Sequence, residues 1–194
     1  MKSTIYFIVQ VEDSYNNYIE LGDGTKLSTN NSIDSVEHIN RVGKVIDAPK
    51  GTIVDRGDFL LFHHNICRES WGAKGKKRTS VFAMSDNTFF VPVTEIFMYM
   101  KAGSDKWNAL APFVFIKPIP AGSEVLPNGL EVKEDDYNGK KPLVGIMSYP
   151  NKELMDKGVR EGDIVAFLED SEHEYEIKGN LYYKMRNSDI LAIL

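Results

Sequence analysis

The chain has 194 residues, 42% of them hydrophobic, with 23 basic and 28 acidic side chains and a single cysteine, Cys67. It can bury a real core; it has no apolar run near the roughly 18–20 residues of a membrane span, and its lone thiol excludes an internal disulfide and suits a reducing compartment. The net charge of −5 argues against a duplex nucleic-acid binder: residues 1–108 carry 13 basic and 13 acidic side chains, residues 109–194 carry 10 and 15.

Taken in chain order, Met1-Lys2-Ser3-Thr4 leads into Ile5-Tyr6-Phe7-Ile8-Val9. That run is too short for the apolar region of a signal peptide and has no small-residue cleavage site, so it reads as a first strand of a cytoplasmic protein. Runs rich in Val, Ile, Phe and Tyr predict strands at 5–11, 42–46, 59–63, 81–84, 89–93, 95–100, 113–119, 143–147, 164–168, 181–185 and 190–194. Residues 34–39 and 151–157 each predict a helical turn or short helix. Many short strands punctuated by Gly, Asp, Asn and Pro predict an all-β sandwich or barrel rather than a parallel α/β sheet.

Four landmarks occur twice in the same order. An apolar strand opens each half, at 4–11 and 112–119. Val42-Gly43-Lys44-Val45 is matched by Val144-Gly145-Ile146-Met147, and Gly57-Asp58-Phe59-Leu60-Leu61-Phe62 by Gly162-Asp163-Ile164-Val165-Ala166-Phe167. Asn87 to Tyr99 parallels Asn180 to Ile193. The glycine can take a positive φ and the aspartate can accept from nearby backbone N–H groups, so each pair turns the chain sharply into a core strand. The expected organisation is a domain at 1–100 with an inserted basic loop, a linker at 101–111 where Gly103, Ser104 and Asp105 interrupt the strands, and a second domain at 112–194.

Together these residues resemble the GroES-like ten-kilodalton co-chaperonins. Gly162 to Phe167 looks like that family's "GDIVIF" strand, and Ser188-Asp189-Ile190-Leu191-Ala192-Ile193 is similar to its closing "SDILAI" segment. The resemblance covers residues 112–194. The first half is a more diverged copy that keeps Gly43-Lys44-Val45, Gly57-Asp58 and Glu95-Ile96-Phe97, and its Phe62-His63-His64-Asn65 with a following basic loop looks like phage-encoded members. It implies two tandem GroES-like small β-barrels in a ring-shaped homo-oligomer, a non-enzymatic lid on a GroEL-type chaperonin.

The resemblance further implies a mobile loop between the first and second strands of each domain that carries an apolar docking motif. In the second half this loop spans about Pro120 to Lys141, with Leu126, Gly129, Leu130, Glu131 and Val132 as the candidate anchor. Glu131 stands where the family usually has an apolar residue. In the first half the loop runs from about Glu12 to Arg41, with Tyr18, Ile19 and Leu21 as candidates. Residues 18–21 and 25–28 could equally pair as a hairpin across Gly22-Asp23-Gly24. The segments that form the roof of the dome in the family are short here, Asp47–Thr52 and Ser148–Arg160. An alternative function is that of a virion or other structural protein that keeps the barrel without docking.

Three clusters remain. His63, His64, Cys67 and Glu69 offer metal-ligand types, but adjacent histidines on a strand face opposite ways and no second cluster completes four ligands, so neither metal nor cofactor is expected. The run Lys74-Gly75-Lys76-Lys77-Arg78, with Trp71 before it, reads as a solvated hairpin tip or a contact for nucleic acid or an acidic partner. Glu169, Asp170, Glu172, Glu174 and Glu176 read as a solvated acidic face that could meet that basic loop. No phosphate loop, serine elbow or HExxH occurs, and no GxGxxG accompanies the barrels, so no enzyme is expected.

Overall fold

Gly57 and Gly162 both take φ +95°, and each delivers the chain through a tight turn into a buried strand. The same bonds surround both: Gly57 N–H donates to Val45 C=O and Val45 N–H to Asp58 C=O, while Gly162 N–H donates to Met147 C=O and Met147 N–H to Asp163 C=O, all at 2.8 Å. The computed structural model describes residues 4–15, 18–28, 39–72, 74–85, 87–125, 131–133, 139–177 and 179–194. The chain separates into two units, Met1–Trp107 and Asn108–Leu194.

The first unit holds β1 (Phe7–Gln10), β2 (Tyr18–Glu20), β3 (Lys26–Ser28), β4 (Val42–Asp47), β5 (Phe59–Phe62), β6 (Ser70–Trp71), β7 (Lys77–Arg78), β8 (Ala83–Ser85), β9 (Thr88–Val91) and β10 (Ile96–Met100). A short strand, β11 (Trp107–Ala109), lies at the unit boundary. The main sheet has the order β11-β10-β5-β4-β1-β9-β8, and β2-β3 and β6-β7 form separate two-stranded sheets. Within residues 101–111, Lys101 is ion-paired to Asp55 and Asp58, and Trp107 is buried.

The second unit holds β12 (Phe113–Pro120), β13 (Ser123–Val125), β14 (Glu131–Lys133), β15 (Lys140–Tyr149), α1 (Lys152–Asp156), β16 (Ile164–Phe167), β17 (His173–Ile177), β18 (Asn180–Arg186) and β19 (Ile190–Ile193). Its sheet has the order β17-β18-β12-β15-β16-β19, with β13-β14 apart. Val114, Ile116, Met147, Leu154, Val159, Val165, Phe167, Tyr183 and Met185 form its core.

Leaving β11 aside, the two main sheets have one strand order. β10, β5, β4, β1, β9 and β8 occupy the places of β19, β16, β15, β12, β18 and β17. The repeat in the sequence is thus a repeat in topology. All the described pairings are antiparallel, and among the described residues the architecture is all-β apart from α1 and three 3-10 turns.

Among the described residues neither main sheet is closed by hydrogen bonds, but neither is flat. Only three residues separate the end of β18 at Arg186 from the start of β19 at Ile190, four Cα steps that span at most about 14 Å. On a flat sheet the four strand spacings between them would require roughly 19 Å. The sheet therefore rolls, with the 3-10 turn Asn187–Asp189 carrying the chain across the gap. The turn Val93–Glu95 does the same between β9 and β10.

The predicted strands fall where strands occur, with shifted ends. The strand expected at 59–63 ends at Phe62, because residues 64–66 wind into a 3-10 turn that the His63 Nδ1 caps by accepting from Asn65 N–H. The helix expected at 151–157 is α1, capped by Asn151. Residues 34–38 of the other predicted helical segment lie outside the described residues.

Candidate functional site

In both units the connection between the first two strands of the sheet leaves it to form a separate hairpin. In the first unit Tyr18, Ile19 and Glu20 pair with Ser28, Leu27 and Lys26. Leu21 N–H donates to Thr25 C=O and Gly24 N–H to Leu21 C=O, both at 2.8 Å, and Gly24 takes φ +82°. A three-residue loop ending in a left-handed glycine is a favoured hairpin closure. Asp23 sits at the tip, and the bonds from the Thr25 N–H and hydroxyl hold its carboxyl below the usual carboxylate range. Of the two readings left open for residues 18–28, the hairpin is the one adopted, and Leu21 is solvent-exposed at its end.

The arm is rooted below by a bridge between Tyr15 and Ile39 and by a 3.0 Å bond from Asn40 N–H to Ser14 C=O. Ile39 is buried there.

In the second unit Ser123, Glu124 and Val125 pair with Lys133, Val132 and Glu131. Glu131 and Val132 thus lie on a paired strand, while Leu126, Gly129 and Leu130 lie outside the described residues. Ala121 N–H donates to Gly139 C=O at 2.9 Å at the base. Next to it the Lys140 ammonium binds Glu174 at 2.7 Å and lies 5.3 Å over the Tyr183 ring, so the Glu174 bond holds the lysine protonated to higher pH. The root of the second arm is clamped across β18 to β17.

The histidines at 63 and 64 do not face opposite ways. Because the strand ends at Phe62, their rings approach to 4.2 Å, and His63 lies 4.0 Å from Glu95. Cys67 is buried beside them, and burial pushes its thiol up to about 12. No group of three or more potential metal ligands occurs among the described residues.

The basic run forms the ribbon β6-β7, in which Ser70 pairs with Arg78 and Trp71 with Lys77. Trp71 is 59% exposed. The sequence reading missed a packed polar joint in each unit, Asp58 with Lys101 and Asn151 with Asn187. Neither has a local signal, since the partners lie far apart in the chain. No helix among the described residues is long and apolar enough to cross a membrane. Compared with known proteins, the chain matches no protein-family model and no curated protein.

Proposed function

We propose that the chain is a co-chaperonin: two tandem GroES-like barrels that assemble with other copies into a ring and lid a GroEL-type chaperonin without catalysing a reaction. The observation that carries this reading is the position of the two hairpins. Each leaves its sheet between the first and second strands and, among the described residues, pairs only with itself, where the family resemblance puts the docking loop. Burying one Leu or Val contributes roughly 1.5–3 kcal/mol, and ordering the arm offsets much of it. One arm binds weakly, and several on a ring bind well yet stay releasable.

The test is ATP-dependent co-sedimentation with a GroEL-type chaperonin. Binding that needs nucleotide and is lost in Leu130→Ser/Val132→Ser, with thermal stability unchanged, is the expected result. A drop in thermal stability of that variant would make these residues core instead. A folded oligomer that never binds would favour the second reading, a structural protein such as a virion component. The paired β14, with Glu131 where docking calls for an apolar residue, is the observation on that side.

A further inference from the structure

The segment 63–82 is what the first unit has and the second lacks. It connects β5 to β8, whereas residues 168–172 alone connect β16 to β17 at the equivalent place. The second unit builds the same strand order with the short turn, so the fold does not require the insert. Its root is nevertheless firmly packed. Ile66, Cys67 and Ser80 are buried, Ser80 Oγ donates to Asn65 C=O at 3.3 Å, and Glu69 N–H donates to the Tyr15 hydroxyl at 2.9 Å. From this root rises the ribbon, closed at its tip by Gly72 N–H on Lys76 C=O and Gly75 N–H on Gly72 C=O, at 2.8 and 2.9 Å.

The ribbon presents a Trp among cations. Trp71, Lys74, Lys76 and Arg78 are all exposed. The insert holds five basic residues and one acidic, in a chain of net charge −5. An exposed Trp on a ribbon that also carries Arg and Lys has the composition of an interface anchor with charged neighbours, and the charge calls for an acidic partner surface.

Such a surface exists on the same chain. Residues 168–177 carry Glu169, Asp170, Glu172, Glu174 and Glu176 with no Lys or Arg. Their strand, β17, is an edge strand that, among the described residues, pairs only with β18. Tyr175 and Ile177 point into the core, which sends Glu174 and Glu176 outward. Charges of this kind protect an edge from indiscriminate strand pairing and offer a directed site to a basic ribbon.

We infer that the β6-β7 ribbon of one copy docks on the acidic β17 edge of a second copy. Ribbon and edge are different surfaces, so the contact is head-to-tail, and it closes a ring when the rotation between copies allows. This names the contact behind the ring proposed above; it does not rest on chaperonin docking. A chain of net charge −5 with one short basic ribbon suits a protein partner better than a nucleic acid.

Two charge reversals test it by sedimentation velocity at low and high salt. Lys74→Glu/Lys76→Glu makes the ribbon acidic, and Glu169→Lys/Glu176→Lys makes the edge basic. Wild type is expected to assemble, more weakly in high salt, and each variant alone to assemble at least tenfold more weakly. Mixed, the two variants are complementary at every contact and regain assembly, which also shows that both fold. Trp71→Ser, which changes no charge, is expected to weaken assembly too. A monomeric wild type, assembly that survives both reversals, or a mixture that stays dissociated would each overturn the contact. So would a monomer that retains a single-stranded oligonucleotide through the ribbon. Chaperonin co-sedimentation of the same samples is a separate readout, so failure of the lid and failure of the contact are told apart.

Discussion

The Asp58 carboxylate lies 2.9 Å from the Lys101 ammonium and joins the turn before β5 to the end of β10. The carboxylate also accepts from Asp55 N–H at 2.9 Å and Ala102 N–H at 3.0 Å, and Lys101 donates in turn to Ile53 C=O and Asp55. Asp163, at the equivalent turn, accepts from Arg160 N–H at 2.7 Å and is only half-buried. The two copies of one motif therefore bear different loads.

Asp58→Ala is expected to cost roughly 2–3 kcal/mol, because it leaves the Asp55 and Ala102 N–H groups without their acceptor and takes one of three partners from the Lys101 ammonium. Asp163→Ala is expected to cost about 1 kcal/mol. Chemical denaturation of both variants checks the ranking, and equal losses would refute it.

The same carboxylate sets a pH dependence. Burial pushes the Asp58 carboxyl up, but the bonds from Asp55, Lys101 and Ala102 outweigh it and hold it below the usual range. The folded state thus binds the proton more weakly than the unfolded chain, whose Asp titrates near ~3.9. The stability it contributes is full above that value and is lost as pH falls through the folded one. Melting temperatures of wild type and Asp58→Asn are expected to differ at neutral pH and to converge in acid.

Gly145 and Gly43 occupy equivalent places and differ in what surrounds them. A Cβ on Gly145 would overlap the Ile116 Cγ2 methyl and reach 3.0 Å from the Lys117 carbonyl, whereas one on Gly43 would meet Phe62 at 3.1 Å and Val9 at 3.2 Å. The first is a backbone and β-branched wall with no room to give. Gly145→Ala is expected to destabilise by about 1–3 kcal/mol and Gly43→Ala by less, as read from the shift in denaturation midpoint.

How far the sequence carried this far depended on whether the signal was local. The strands built from Val, Ile and Phe and the two Gly-Asp turns were readable because propensity and turn chemistry agree there. β17 was missed because its outward Glu174 and Glu176 hid the inward Tyr175 and Ile177, and the stretch read as an acidic face. The histidine pair was misjudged because strand alternation was carried one residue past Phe62. Asp58 and Lys101 are 43 positions apart, and only the folded register of β5 against β10 brings them together. Of the docking candidates, the hairpin at 18–28 was legible from Gly22-Asp23-Gly24, whereas Pro127-Asn128-Gly129 between β13 and β14 was a turn signature that the docking-loop reading passed over.

Cys67 is expected to be chemically silent. Its thiol is buried and pushed up to about 12, so at pH 8 the folded protein holds almost no thiolate. Labelling with an alkylating reagent is expected only at the rate of unfolding, and fast labelling of the native protein would contradict it. Because the unfolded thiol ionises near ~8.5, the contribution of Cys67 is full below that pH and declines as pH rises toward the folded value.

Asn151 is the corner post of the second unit. It is 1% exposed, and its amide uses every group it has. Its Oδ1 accepts from Leu154 N–H at 3.1 Å to cap α1, and its Nδ2 donates to Phe113 C=O at 2.8 Å and to Asn187 Oδ1 at 2.6 Å. Asn187 donates from its own amide to Glu153 at 2.6 Å and from its backbone to Pro112 C=O at 2.9 Å. The helix, the start of β12 and the turn between β18 and β19 thus meet on one side chain. Asn151→Ala removes the cap and leaves the Phe113 carbonyl without this donor, for a loss of about 2–3 kcal/mol. Asn151→Asp is the sharper test. It keeps the cap acceptor but sets a carboxylate oxygen against two oxygens, so the charged form is disfavoured and its pKa rises in the folded state. A group raised in this way loses its share of stability as pH rises through the carboxylate range. Asn151→Asp is therefore expected to melt close to wild type near pH 4 and well below it at pH 7, the reverse of the trend set by Asp58. A deficit independent of pH would mean that the amide donates to neither oxygen.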